Sequence, residues 1–154
     1  MKILIDADGC PVVDCTVALA KKHRLECVIL CDTAHVFQKD GAQTIVVEKG
    51  ADSVDFALVN LLVKGDIAVT QDYGLAAMCL AKGAVPISQN GLVYTDANMD
   101  ELLFSRYVSK KIRMAGGRLK GPSKRTKAQD AHYIEQLEKL IQHDSSDTEP
   151  HISL

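Results

Sequence analysis

Apolar residues along the chain fall into short runs separated by polar turns, and two kinds of run alternate. Residues 2–5 (KILI) form an apolar run rich in β-branched side chains, which predicts a strand ending at Asp6 and Asp8. Pro11 suits the first position of a helix, and Val13, Val17 and Ala20 recur at helical spacing, so a helix is expected over 12–23. The continuous apolar run 25–30 (LECVIL) reads as a strand buried on both faces. A third strand is expected over 44–47 (TIVV). A second helix should open at Asp52-Ser53, carry Phe56, Val59, Leu62 and Val63 on one face, and end at Gly65.

The second half repeats the alternation. Residues 67–70 within DIAVT predict a fourth strand, 73–82 a helix rich in Ala and Leu, and 85–88 (VPIS) an edge strand, because Pro86 cannot donate to a central ladder. Asn90-Gly91 predicts a turn in which Asn90 tolerates positive φ, followed by a short extended piece over 92–94. Residues 100–114 read as a helix, 116–125 as a loop, and 128–142 as an amphipathic helix with Ala131, Ile134, Leu137 and Ile141 on its apolar face. Strands that alternate with helices predict an α/β fold with a mostly parallel sheet flanked by helices in three layers. One domain over 1–142 and a flexible tail over 143–154 follow, since a chain of 154 residues matches a single domain.

Composition narrows the class without naming an activity. Hydrophobic residues at 47% and charged residues at 25% are ordinary for a globular protein, which argues against a fibrous or disordered chain. No apolar run reaches the ~20 residues of a membrane span. The acidic pair in MKILIDADGCP stands where an export signal would be apolar, so a cytoplasmic protein is expected. Five cysteines (Cys10, Cys15, Cys27, Cys31, Cys79) with no C-x-x-C pair are expected to be reduced and mostly buried.

Charge changes the picture. The formal net charge of −2 hides strong segregation: residues 1–104 carry 8 basic and 14 acidic side chains, residues 105–128 carry 9 basic and none acidic, and residues 129–154 carry 1 basic and 6 acidic. The basic window holds Arg106, Lys110, Lys111, Arg113, Arg118, Lys120, Lys124, Arg125 and Lys127. Such a window is the footprint of a polyanion-binding surface, with a solvated loop as the plainer reading.

The acidic residues are placed as informatively. Ligands of an open parallel sheet bind at the carboxyl ends of its strands, where Asp6, Asp8 and Asp72 are expected. Asp6 and Asp8 are read as divided, one pointing into the crevice and the other lying beside the following helix. Asp55, one turn into the second helix, faces the same crevice from the side, and Asp52 is a weaker member. Thr70 precedes Asp72 by two residues, so its hydroxyl reaches the same pocket. Converging carboxylates repel unless protons or a cation intervene, and an all-oxygen set suits Mg²⁺ or Mn²⁺. Each acid also has a plainer role. Asp72 can cap the helix it precedes, Asp52 and Asp55 can form a capping box, and Asp8 can cap the first helix. His23, His35 and His132 read as isolated surface residues, and nothing in sequence marks Cys10 as a nucleophile.

DADGCPV at 6–12, the stretch GADSVDFALVNLLVKGDIAVTQDYGLAA at 50–77 and GP at 121–122 resemble the YaiI/YqxD family of small bacterial proteins. That family in turn looks like a distant branch of the PIN-like nuclease superfamily. The resemblance extends to about residue 141. It implies a PIN-like domain with a Mg²⁺ or Mn²⁺ site built from Asp6, Asp55 and Asp72, with Thr70 as the motif threonine and Asp8 as an added acid. It also implies a metal-dependent nuclease that hydrolyses phosphodiester bonds, RNA in preference to DNA, with the basic window contacting phosphates. A fourth acid that PIN domains often place shortly after the T-x-D motif is absent from Tyr73-Gly74-Leu75-Ala76.

Two other readings stand beside it. ILIDADGCP is similar to the D-x-D-G-T opening of haloacid-dehalogenase-type phosphatases, with Asp6 as nucleophile and Asp8 as acid/base. Cys10 replaces the threonine, however, and Gly65-Asp66 stands too far from Asp72 to complete that family's later motif. The third reading is a non-catalytic RNA-binding protein on a degenerate nuclease fold. Oligomerisation is compatible with all three.

Overall fold

The structure, a computed structural model, describes residues 1–50, 52–117 and 124–147, with side chains described to residue 143. Five strands alternate with helices: β1 (Lys2–Asp6), α1 (Val13–Lys22), β2 (Glu26–Asp32), β3 (Gln43–Val47), α2 (Ser53–Leu61), β4 (Ile67–Val69), α3 (Tyr73–Ala81), β5 (Val85–Ile87), α4 (Asp96–Met114) and α5 (Lys127–Asp147). Every strand pair is parallel, in the order β3-β2-β1-β4-β5. This is the α/β three-layer architecture the alternation predicts.

Alternation of side chains along β1 distributes the core. Ile3 and Ile5 pack with Val13, Val17 and Ala20 of α1 and with Tyr133, Leu137 and Ile141 of α5. Leu4 faces the other way, onto Leu58 of α2, Leu62 just past its end, and Leu75 and Cys79 of α3. Asp6 therefore falls on the α2/α3 face of the sheet, as does Thr70, which follows Val69 of β4. β2 is buried from Cys27 to Cys31, the two-sided burial expected of its unbroken apolar run.

Pro86 sits in an edge strand for the predicted reason. The amide of Val85 donates to the carbonyl of Asp66, just before β4, and the carbonyl of Ile87 accepts from the Thr70 amide. The backbone of Pro86, a buried residue, instead points away from β4, and its carbonyl accepts from the Tyr94 amide. The turn between them differs in detail from expectation. Positive φ belongs to Gly91 (87°), and a Cβ there would lie 2.7 Å from His132 Nδ1, so Gly91 rather than Asn90 carries the conformational demand.

Several boundaries differ from the sequence reading. Val12 precedes α1 without a side-chain cap, so neither Asp8 nor Pro11 opens that helix. α4 starts at Asp96 rather than residue 100, because Thr95 and Asn98 form a reciprocal capping box. α5 continues past Gln142 to Asp147, and the rest of the expected tail lies outside the described residues.

The expected apolar face of α2 is also corrected. Phe56 and Val63 are exposed, and the sheet-facing stripe runs through Leu58 and Leu62. Leu62 has left the helix (ψ 135°) to reach the core, and the Val63 amide donates to Asp66 Oδ2 at 2.9 Å. Asp66 itself is 1% exposed and accepts from the amide and ammonium of Lys2, tying β1 to β4 at their amino ends.

All five cysteines are free, with Cys27, Cys31 and Cys79 buried. Among the described residues, no helix is long and apolar enough to cross a membrane.

Candidate active site

The strand order reverses between β1 and β4, whose successors lie on opposite sides: β2 follows β1 outward in one direction, β5 follows β4 in the other. At such a switch point the loops leaving the carboxyl ends diverge and open a crevice. Asp6 ends β1 on one side of it, and Thr70 and Asp72 follow β4 on the other.

These three residues form a continuous hydrogen-bonded relay. The Asp72 amide donates to Thr70 Oγ1 at 3.0 Å, and that hydroxyl donates to Asp6 Oδ2 at 3.0 Å. With its lone pair engaged by one backbone amide, the hydroxyl proton is directed at the carboxylate. Tyr94 Oη donates to the Thr70 carbonyl at 3.2 Å, and Thr70 is itself buried. Asp72 caps α3, with Oδ1 accepting from Leu75 N at 3.1 Å. The cap and the cleft position therefore coexist on one side chain.

Asp6, Asp8, Asp32, Asp52, Asp55 and Asp72 line one cleft, together with Gln71. A narrower recess beside it is lined by Asp6, Asp8, Cys10, Thr70, Gln71 and Gln89. The structure thus brings together all five residues expected at the site. Asp8 departs from expectation in one respect. Both it and Asp6 line the cleft, where one of the pair was expected to lie beside the following helix; Asp8 does so from the turn that follows β1.

Asp52 and Asp55 do not make the capping box the sequence allows, since Asp52 offers α2 no side-chain cap. Asp52 adopts a left-handed conformation (φ 62°), tolerated by Asp but uncommon outside glycine, and the only other non-glycine residue described with positive φ is Arg24.

The clustering is felt electrostatically. Asp55 is pushed up to about 6 by desolvation and then by the charges of Asp72, Asp6 and Asp52. Asp6 is raised by burial, with the Thr70 hydrogen bond opposing and Asp72 and Asp8 adding to the rise. Cys10 is a poor nucleophile in this setting, because burial pushes its thiol up to about 11.

Asp32 was not anticipated. The sequence reading ended β2 at Leu30, two residues short of the acid that closes it. The extra pair places Asp32 at the same sheet edge as Asp6. Desolvation works against its charge, but the amides of Ala34 and His35 and the His35 imidazole outweigh that and hold Asp32 below the usual carboxylate range. His35 is accordingly not isolated: its Nδ1 lies 3.4 Å from both Asp8 and Asp32. Among the described residues, Asp8, Asp32 and His35 are the set of three whose ligand atoms all lie within 4.8 Å of one another. Asp6, Asp55 and Asp72 are more widely spread around the cleft.

The basic window flanks this edge unevenly. Arg106 lines a second cleft with Gln71, Asp72, Tyr73, Ser105 and Ser109. Lys110 and Arg113 follow it on exposed turns of α4, and Lys111 lies over the Tyr107 ring, 5.5 Å from its centroid. Arg125 has other partners. Its guanidinium bonds Asp130 at 2.6 Å, Asn90 Oδ1 at 2.8 Å and the Gln89 carbonyl at 2.7 Å, so it clamps the 89–90 turn to the start of α5. Lys124 and Lys127 are exposed, and Arg118 and Lys120 lie outside the described residues.

Asp66 does not complete a phosphatase motif. It is buried at the amino end of β4 against Lys2, away from the carboxyl edge that carries Asp6.

Comparison with known proteins agrees with the motifs. Residues 4–143 match the family described as Uncharacterized BCR, YaiI/YqxD family. A UPF0178 protein of Exiguobacterium sibiricum is 53% identical over 141 residues, covering 92% of this chain and 96% of its own. A UPF0178 protein of Ruminiclostridium cellulolyticum is 47% identical over 145 residues, covering 94% of this chain and 95% of its own. No solved structure matches the chain. With a match over nearly its whole length and relatives this similar end to end, the chain belongs to the YaiI/YqxD family.

Proposed function

We propose that this protein is a metal-dependent nuclease that hydrolyses phosphodiester bonds in RNA, acting at the cleft between β1 and β4. The observation that carries the reading is the gathering of Asp6, Asp8, Asp32, Asp52, Asp55 and Asp72 around one cleft at the topological switch point. Carboxylates that share one cleft, with Asp55 pushed up to about 6, are chemically suited to a divalent cation.

The donor set fits Mg²⁺ or Mn²⁺. Asp6, Asp55 and Asp72 offer hard oxygens, and the histidine on the rim belongs to the Asp8–Asp32 pair. Asp32 and Asp52, which line the same cleft, would stand in for the acid missing after the T-x-D motif. A bound divalent ion would supply a water acidified toward neutrality and positive charge for the phosphoryl oxygens. The chain's own groups do the rest. Thr70 fixes the Asp6 carboxylate through its hydroxyl, so one of the site's acids is oriented before substrate arrives. Gln71 and Gln89 line the recess beside Asp6 with side-chain amides that can donate to a phosphoryl oxygen. Asp8, with its side chain 57% exposed on the rim, would accept a proton from the attacking water. Arg106, beside Asp72, would hold a neighbouring phosphate, and Lys110, Lys111, Arg113, Lys124 and Lys127 would extend that contact without reading sequence.

The test is cleavage of labelled single-stranded and structured RNA by the full chain with Mn²⁺, with Mg²⁺ and with chelator, alongside Asp6→Asn. Metal-dependent cutting that falls at least a hundredfold in Asp6→Asn, with RNA affinity retained, is the expected result. Cutting by that variant at the wild-type rate refutes the site. Turnover of p-nitrophenyl phosphate alone would mark a phosphatase, and salt-sensitive RNA binding without cleavage a binding protein.

A further inference from the structure

α4 leaves most of its length outside the core. Of its residues only Met99 is buried, and the helix packs against α3 near its beginning. Beyond that point its solvent face is apolar: Phe104 is 66% exposed, Tyr107 56% and Val108 37%, with Leu103 and Ile112 beside them. An apolar helix face of this length is unusual on a monomer's surface.

The helix is also polarised along its axis. Asp96, Asp100 and Glu101 occupy its first third with no basic residue among them, and Arg106, Lys110, Lys111 and Arg113 occupy the remainder with no acid. Glu101, Phe104, Val108 and Lys111 follow one another at spacings of three, four and three, which places them in a single stripe. The stripe is symmetric about position 106: Glu101 and Lys111 stand equally far from it, and so do Phe104 and Val108. Laid antiparallel on a copy of itself, the stripe brings Glu101 against the partner's Lys111 and Phe104 against the partner's Val108. Both ends then meet opposite charge, and the apolar centre is covered. A parallel arrangement would instead stack like charges along the helix.

We infer that α4 is the interface of a two-fold symmetric dimer in which the partner is a second copy of this chain, packed antiparallel through Glu101, Phe104, Val108 and Lys111. Self-complementarity is the requirement for an isologous contact, and this stripe satisfies it. Arg106, which lines the cleft beside Asp72, lies on the opposite side of the helix from Phe104 and Val108, so the dimer leaves the site open. The inference stands independently of the proposed reaction, except that it directs Lys111 to the partner rather than to a phosphate.

Sedimentation of the full chain, from about 1 to 100 μM, is expected to give twice the 16.7 kDa of one chain. Phe104→Glu with Val108→Glu, both exposed positions, should weaken the dimer at least tenfold while circular dichroism stays unchanged. Glu101→Lys alone and Lys111→Glu alone should each weaken it, and the two together in one chain should restore it. A wild-type chain monomeric throughout, or a dimer indifferent to the Phe104/Val108 pair, overturns the inference. Loss in both single swaps without recovery in the double overturns the antiparallel arrangement. A monomer that floats with phosphatidylglycerol vesicles also overturns it and gives the face to a membrane surface.

Discussion

The hydroxyl of Thr70 links the two sides of the cleft just beyond the β1–β4 ladder, whose last pair is Ile5 and Val69. It accepts a hydrogen bond from the Asp72 amide and donates one to Asp6 Oδ2. Thr70→Val keeps the β-branched shape and removes both bonds. Asp6 would then lose the bond that favours its charged form, and the Asp72 amide its acceptor. The expected cost is about 1–3 kcal/mol of stability and a fall in RNA cleavage of at least tenfold, read as Tm and as turnover under saturating Mn²⁺. Retained cleavage with lowered Tm would confine Thr70 to a structural role. Serine at this position should recover most of the activity, since it restores the hydroxyl.

At this scale the sequence was largely readable for residues whose neighbours in the chain explain them. Asp6 closes an apolar strand, and Thr70 and Asp72 belong to one short motif. Asp32 was hidden because its strand runs on through Cys31, and a strand's last residue cannot be placed by composition alone. Spacing by two in the chain leaves open which of Asp6 and Asp8 enters the crevice, and the structure brings both to it. His35 was unreadable, because its contacts with Asp8 and Asp32 depend on two strand ends being neighbours.

Among the elements, α4 most changes what the chain can do. Its start is set by the Thr95/Asn98 capping box, and its first turns are pinned by Met99, yet the rest projects with two distinct faces. Arg106 is turned toward the acidic cleft, and the Phe104 face is turned away. The two functions proposed for the helix are thus separable by mutation. Arg106→Glu, Lys110→Glu and Arg113→Glu together remove phosphate contacts without touching the stripe centred on Phe104 and Val108. If these residues hold single-stranded RNA, the slope of log affinity against log salt should flatten by roughly 2, since each lost contact on a single strand accounts for about 0.7. An unchanged slope would show that this side of α4 is only solvated. Charge alone groups Arg125 with them. Its three acceptors on Asp130, Asn90 and Gln89 are contributed by a distant turn and by the start of α5, which no count of charges along the chain can reveal.

For the molecule as a whole, the decisive feature is strand order. The alternation of runs foretold a parallel sheet, but not that β4 would sit beside β1 with β2 on its other flank. That order gathers carboxylates from β1, β2, α2 and the α3 cap at one edge, and it makes the fold's stability answer to their charge. Asp55, pushed up to about 6, and Asp6, also raised, hold protons more tightly folded than unfolded. Their contribution is complete below the ordinary carboxylate range and is lost as pH climbs through about 6. Asp32, held low, acts oppositely and matters only in stronger acid. In chelator the Tm should therefore fall between pH 5 and pH 7.5. Mn²⁺ at pH 7.5 should restore it, because a cation replaces the protons in offsetting the repulsion. Asp55→Asn should flatten the pH dependence and raise the metal-free Tm at pH 7.5 by about 2–4 °C, while abolishing most of the Mn²⁺ effect. Differential scanning calorimetry of the two proteins, with and without Mn²⁺, reads all of these outcomes together. A wild-type Tm that rises across the same interval, or a Mn²⁺ response undiminished in Asp55→Asn, would mean that the carboxylates share a cleft without sharing a cation.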